Sequence, residues 1–229
     1  MPVSSLALRR ITIDTKRVGS LSHVDGLFWV PDEMDLTHGW AIICGPVDTP
    51  YYGGAYCFEV CFPDNYPFEP PKLTFLTQDG RTRFNPNLYK NGKVCLSLLN
   101  TWQGEPWSGV QSLESVLRCI QTAVLIGDPL HNEPVYPAPA MAGDLGIYNR
   151  LVLHANLETA ILDQLRSPPP YLEPVADHMR SLVVAARPVL TGICRALAVQ
   201  WDGRTESLDF YKMSQRYRFG ELVAALEAL

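Results

Sequence analysis

The stretch RFNPNLYKNGKVCLSLLNTWQGEPW, residues 83–107, holds one cysteine, Cys95, eight residues after Asn87. A thiol can fill a small apolar gap, ligate a metal, attack a carbonyl with help from a base, or carry an acyl group. A cysteine that follows a valine is commonly core. The surroundings argue for more. Asn85-Pro86-Asn87 and Asn91-Gly92 are turn formers, so the thiol stands in irregular chain beside a rigid bend. Loops held by a scaffold are where chemistry concentrates. Protease chemistry needs a base within hydrogen-bond reach of the sulfur. His131 is the one downstream candidate near a turn, and no protease signature surrounds Cys95. The histidines (His23, His38, His131, His154 and His178) are scattered without paired ligand spacing, and no two cysteines form C-x-x-C. No metal site is therefore expected.

The elements that must hold this loop can be read from turn residues and periodicity. Residues 4–17 suit a short helix, with Leu6, Ile11 and Ile13 apolar and Arg9, Arg10, Lys16 and Arg17 polar. Apolar runs broken at Pro31-Asp32, His38-Gly39, Gly45-Pro46 and Gly53-Gly54 then read as an antiparallel meander, completed by KLTFL at 72–76. In AYCFEVCF, Tyr56, Phe58, Val60 and Phe62 alternate with Cys57, Glu59 and Cys61, the pattern of a half-buried strand. Cys57 and Cys61 share a face but stand too far apart along extended chain to bond to each other. The four prolines of FPDNYPFEPPK rule out a central strand there, and Tyr66-Pro67 is a candidate cis bond.

Leu113, Val116, Leu117, Ile120 and Val124 recur at helical spacing between Val110 and Ile126, with Ser112 or Ser108 as cap and Gly127-Asp128-Pro129 as terminator. Residues 133–144 read as a Pro/Ala/Gly connector. Beyond it, helices are predicted over 144–166, over 171–199 with a kink at Pro188, and over 205–227. The fold class is α+β.

Composition excludes several functions. The chain has 229 residues, 47% of them hydrophobic, 19% charged, and a formal net charge of −5. No basic tract is available to neutralise phosphates, so nucleic acid is not an expected partner. The stretch MPVSSLALRRITID has no apolar core of signal-peptide length. Unbroken apolar runs fall short of about 18 residues, so no membrane span is expected. The six cysteines are expected as reduced thiols, which points to an intracellular, cytoplasmic or nuclear setting.

One ordered set of motifs goes further. It comprises GWAIICGPVDTPYYGGAYCFEVCFPDNYPFEPPKLTF, then NPN, GKVCLSLL, a Trp-Ser pair and GDPLHNEP. From about residue 4 to 137 the chain resembles a ubiquitin-conjugating enzyme. In that family a His-Pro-Asn precedes the active cysteine, which lies eight residues after its Asn. Here Asn87 and Cys95 have that spacing, and Asn85 replaces the histidine. The Asn-Pro-Asn, the LLNTW after the cysteine, and LETAILDQLRSPPPYLEPV resemble a narrower branch, the conjugating domains of the large hybrid conjugating-enzyme/ubiquitin-ligase proteins.

The resemblance implies a conjugating core over residues 1–137 and a helical extension over 138–229. It implies that Cys95 accepts ubiquitin from an activating enzyme as a thioester and passes it to substrate lysines. A thioester accepts a thiolate readily, so no adjacent base is required. No cofactor is implied, since ATP is used by the activating enzyme. Asn87 would hold the oxyanion as a lysine attacks, or brace the loop backbone. Asn85 and Pro86 shape that loop. Glu133 would orient the lysine, as would Asp128, whose plainer role is to close a helix; Ser97 stands where some members carry an acid. Phe68, Trp107 and Ser108 match positions shown to ligases, although the usual Pro-Ala after Trp-Ser is Gly109-Val110 here. Arg9 and Arg10 match the basic first helix that meets the activating enzyme, or form a solvated face. Two alternatives remain: a non-catalytic ubiquitin-binding module of this fold, and a carrier of another ubiquitin-like modifier. The extension would dock substrate in a ligase-like way, bind a ligase, pair two chains, or cover an apolar face of the core.

Overall fold

A four-stranded antiparallel sheet in sequential order organises the chain: β1 (Leu27–Pro31), β2 (His38–Cys44), β3 (Ala55–Cys61) and β4 (Lys72–Phe75). The computed structural model describes residues 3–21, 25–136 and 138–229. His23, and residue 137 at the expected core boundary, lie outside the described residues. Helix α1 (Ser5–Gly19) precedes the sheet, and the Ala7 N–H donates to Ser4 Oγ at 3.0 Å to cap it. Helix α2 (Leu113–Cys119) follows the cysteine loop and widens into a π-type turn over Ile120–Val124. It begins at Leu113, because Ser112 and Ser115 form a reciprocal cap; Ser112, not Ser108, is the start signal. The Tyr66–Pro67 bond is cis.

The inner sheet face carries Leu27, Ile43, Tyr56, Phe58 and Phe75, which are buried together with Ile11 of α1 and Leu113, Val116, Leu117 and Ile120 of the α2 region. On the outer face the expectation of a half-buried strand holds at Glu59 and Cys61 and departs at Cys57. Cys57 is fully buried, its Sγ 3.6 Å from Gln164 Oε1. Trp40 stacks on Tyr171 with ring centroids 5.8 Å apart, and Phe28 meets His178 at 4.9 Å. The C-terminal region covers this face at Cys57, so β3 is dry on both sides there and reaches water only at its far end, where Glu59 is half-buried and Cys61 exposed. Burial raises the Cys57 thiol to about 12, in keeping with a packing role. All six cysteines are free thiols.

The covering region departs from the predicted elements in two places, the start of its first helix and the stretch after residue 204. Helix α3 (Ala138–Ala155) starts inside the presumed connector, since prolines are tolerated in a first turn. It continues through a π-type stretch, Asn156–Asp163, to Arg166. Helix α4 (Ala176–Trp201) runs through Pro188 and buries Met179, Val183, Ala186, Leu190 and Cys194. The predicted helix over 205–227 is instead a hairpin, β5 (Thr205–Leu208) and β6 (Met213–Arg216), followed by helix α5 (Phe219–Glu227). Gly203 at φ +76° turns the chain, and Leu208 and Met213, register partners, are buried while most of their polar neighbours face water. That alternation is a strand pattern.

By length and composition, Glu173–Trp201 would pass for a membrane-crossing helix. Unbroken apolar runs missed it because single polar residues interrupt them. Its buried stripe belongs to the packed core described above.

At the β2 start, His38 Nδ1 lies 2.9 Å from Asp32 Oδ2 and Nε2 3.1 Å from Glu59 Oε1. The Asp32 hydrogen bond is the first cause that raises the His38 pKa, and Glu59 adds to it. A raised folded-state value stabilises the fold below the unfolded pKa of about 6.5 and ceases to do so as pH rises through the folded value. The melting temperature is therefore expected to fall as pH is raised from 6 through 8, and His38→Gln should flatten that fall. Parallel wild-type and variant melting curves across the range check this, and equal slopes would refute it.

Candidate active site

The Asn85–Pro86–Asn87 turn is tied down from three sides. Asn85 is fully buried, and its Nδ2 donates to Val124 O at 2.8 Å and to Tyr51 Oη at 3.3 Å. Its Oδ1 accepts from the Asn87 N–H at 2.8 Å, so one amide side chain supports both the floor and the tip of the turn. Tyr51 Oη in turn donates to Phe84 O at 2.7 Å. Arg83 Nε and Nη2 donate to Asn85 O and Pro86 O at 3.1 and 2.6 Å.

Cys95 is registered to this turn. Its N–H donates to Asn87 O at 2.9 Å, and Asn87 Nδ2 donates back to Cys95 O at 2.7 Å. The spacing of eight residues read from the sequence is thus a closed hydrogen-bonded pair of strand-like segments, reinforced by the Leu88–Val94 bridge. Asn87 braces the backbone of the residue that carries the thiol. Cys95 is only 2% exposed. No hydrogen bond reaches its Sγ among the described residues, so no base is paired with it. A shallow cavity of about 210 Å³ adjoins the site, lined in part by Asn87, Ser97, Trp102 and Asn132.

The other expected residues divide. Glu133 follows a one-turn helix over Pro129–Asn132, and its Oε2 accepts from Tyr211 Oη at 3.0 Å. Asp128 is exposed at the start of that turn and makes no side-chain cap bond. Ser97 opens a one-turn helix, Ser97–Leu99, two residues after the thiol. On the expected ligase-facing shoulder, Phe68 is 72% exposed and Ser108 is exposed. Trp107 corrects the expectation: its indole is buried against Tyr66, and Nε1 donates to Pro67 O at 2.7 Å, so the ring supports the shoulder from inside. Arg10 also turns inward. It pairs with Asp14 at 3.0 Å and donates to Gly109 O at 2.9 Å and to Gln111 O, binding α1 to the loop after Trp107. Arg9 alone of the two is exposed.

Two groupings were invisible in the sequence. The first is Arg83, Lys90, Tyr148 and Tyr211 around the site. Tyr211 lies in a segment whose local pattern read as helix, and no short-range signal links it to Glu133. The second is His38, Glu59 and Cys61, whose donor atoms lie within 4.8 Å of one another because His38 and Cys61 are register partners. Carboxylates already satisfy both ring nitrogens of His38, which accounts for the cluster without an ion.

Asn87→Ala is expected to loosen the Cys95 loop by removing a hydrogen bond to a part-buried carbonyl, at a cost of about 1–3 kcal/mol. Chemical denaturation should record the loss. A midpoint equal to that of the wild type would remove the bracing role.

The frame that holds this turn and its cysteine is an α+β scaffold built on a four-stranded antiparallel meander. The family model described as ubiquitin-conjugating enzyme matches residues 18–143, more than half of the chain, and the chain belongs to that family. Ubiquitin-conjugating enzyme E2 Z of Homo sapiens is 44% identical over 155 residues, covering 67% of this chain and 44% of that protein. The protein of the same name from Danio rerio is 36% identical over 205 residues, covering 89% of this chain and 62% of that one. The Homo sapiens dual E2 ubiquitin-conjugating enzyme/E3 ubiquitin-protein ligase BIRC6 is 38% identical over 179 residues, covering 74% of this chain and 4% of its own length. The chain thus spans less than half the length of the human E2 Z relative.

Proposed function

We propose that this chain accepts ubiquitin as a thioester on Cys95 and transfers it to lysine side chains. The observation that carries the reading is the reciprocal pair between Cys95 and Asn87 on a turn anchored by Asn85. It fixes the thiol-bearing backbone while leaving the sulfur without a base. In the first step the Cys95 thiolate attacks the thioester carbonyl of a ubiquitin-charged activating enzyme. A new S–C bond forms, the old one breaks, and the activating enzyme's thiolate leaves. In the second step a neutral lysine amine attacks the Cys95 thioester, the N–C bond forms as the C–S bond breaks, the Cys95 thiolate departs, and the proton lost by the amine nitrogen passes to solvent. Glu133 orients the amine and accepts a hydrogen bond from it.

The partners in this reading are ubiquitin, an activating enzyme that consumes the ATP, protein substrates, and a ligase that meets Phe68 and Ser108. The chain itself needs no cofactor. Its acidic net charge gives no reason to invoke nucleic acid, and the buried stripe of α4 belongs to the packed core, where it meets mainly α5. The free thiols suit a reducing compartment, the cytoplasm or nucleus. Ligase-like selection of substrates is assigned to the C-terminal region, whose hairpin reaches Glu133. Incubation with activating enzyme, ATP and a panel of modifiers tests the reading. Ubiquitin should give an adduct that thiol reductant removes. No such adduct with ubiquitin, or an adduct only with another modifier, would overturn it.

A further inference from the structure

We infer that Tyr211, at the tip of the β5–β6 hairpin, is a positioning residue for lysine transfer, acting by fixing the Glu133 carboxylate. The inference rests on the carrier reading and adds to it a part of the chain 78 residues further along the sequence than Glu133. Tyr211 Oη donates to Glu133 Oε2 at 3.0 Å. Among the described residues no other side chain bonds to that carboxylate, so Oε1 stays open to an incoming amine. A carboxylate has acceptor sites on both oxygens, and occupying one sets the direction of the other.

The tip is fastened to the site rather than resting near it. Lys90 Nζ donates to Tyr211 O at 3.0 Å and to Lys212 O at 3.3 Å. The Arg83 guanidinium sits 3.3 Å over the Tyr89 ring and 5.5 Å from that of Tyr211. That same side chain holds the carbonyls of Asn85 and Pro86. The Arg83 N–H donates to Met213 Sδ, and the Tyr148 ring lies 5.7 Å from the Tyr211 ring. Phe210 packs on Tyr136, three residues beyond Glu133, at 4.6 Å. One cation therefore touches both the turn that carries Asn87 and the ring that carries the hydroxyl. The rings and the lysine suffice to seat the hairpin. The hydroxyl adds a directed bond to one carboxylate.

The test uses the full chain as wild type, Tyr211→Phe, Glu133→Gln and the double variant. Each is charged with ubiquitin and chased with free lysine or with hydroxylamine. Lysine must arrive neutral and oriented, whereas hydroxylamine is neutral at pH 7 and needs no carboxylate. Tyr211→Phe should charge and discharge to hydroxylamine within about twofold of wild type, and discharge to lysine about tenfold more slowly. The double variant should be no slower than Glu133→Gln. Unchanged lysine discharge in Tyr211→Phe overturns the inference alone. So do equal slowing with both nucleophiles and a further loss in the double variant, since either would mark a structural role. Failure of the wild type to form a reductant-sensitive adduct overturns the carrier reading, and this inference with it.

Discussion

Cys95→Ala is expected to form no adduct with ubiquitin, and Cys95→Ser to form, slowly, one that survives thiol reductant. The two outcomes follow from the same geometry. Alanine removes the sulfur to which the proposed thioester is bonded. Serine keeps a nucleophile of similar shape, but an alcohol is almost wholly protonated at neutral pH and needs a partnered base to attack. No hydrogen bond reaches Cys95 Sγ among the described residues, so the serine hydroxyl would meet none. A thiol has no such need, because a usable fraction ionises unaided and sulfur is intrinsically nucleophilic. We expect charging of the serine variant to be slower by a factor on the order of 10²–10⁴, the usual contribution of a positioned base. Gel analysis with and without reductant, over a time course, separates the three proteins. Wild-type-like charging of the serine variant would reveal a base that the geometry does not show. A reductant-sensitive adduct on the alanine variant would move the chemistry to another cysteine.

Signals confined to a few neighbouring residues were legible in the sequence. The four strands, the Ser112 start of α2 and the bend before Cys95 depend on turn formers and short periodicities. What escaped depends on pairs far apart in the chain. Cys57 and Gln164 are 107 residues apart, and Glu133 and Tyr211 are 78 apart. Strand alternation tells which side chains share a face, but not what covers it. That is why AYCFEVCF gave no sign that Cys57 is covered while Cys61, on the same face, reaches water. The hairpin at Thr205–Arg216 was missed because its strands are four residues each and largely polar. Trp107 and Arg10 were misplaced for a related reason: motif position says where the backbone runs, whereas Pro67 O and Gly109 O decide where those side chains point.

Removing residues 145–229 is expected to cost the folded protein, not merely to alter its products. The outer sheet face shows why. Phe28, Ile42 and Cys57 are at most 4% exposed, and Trp40 is stacked on Tyr171. Stripping the cover from a large apolar side chain forfeits about 1.5–3 kcal/mol. A few such losses approach the whole stability of a domain, roughly 5–15 kcal/mol. Polar ties are cut as well. Tyr56 Oη donates to Asn156 Oδ1 at 2.7 Å, and Asn156 Nδ2 donates to Tyr52 O at 3.0 Å. A Cβ at Gly54 would stand 2.0 Å from Asn156 Oδ1, so the second glycine of the Pro-Tyr-x-Gly-Gly motif is the one that admits this contact. The truncated chain should be insoluble or bind hydrophobic dye, and should fail to charge. Asn156→Ala in the full chain gives a graded version. It leaves the Tyr56 hydroxyl and the Tyr52 carbonyl without their partner, at about 1–3 kcal/mol, read from the denaturation midpoint. A soluble truncated chain that melts near the wild-type temperature and charges Cys95 would mean that the C-terminal region serves substrates or ligases only. An aggregated or molten one, with a matching partial loss in Asn156→Ala, would make it part of the conjugating core itself.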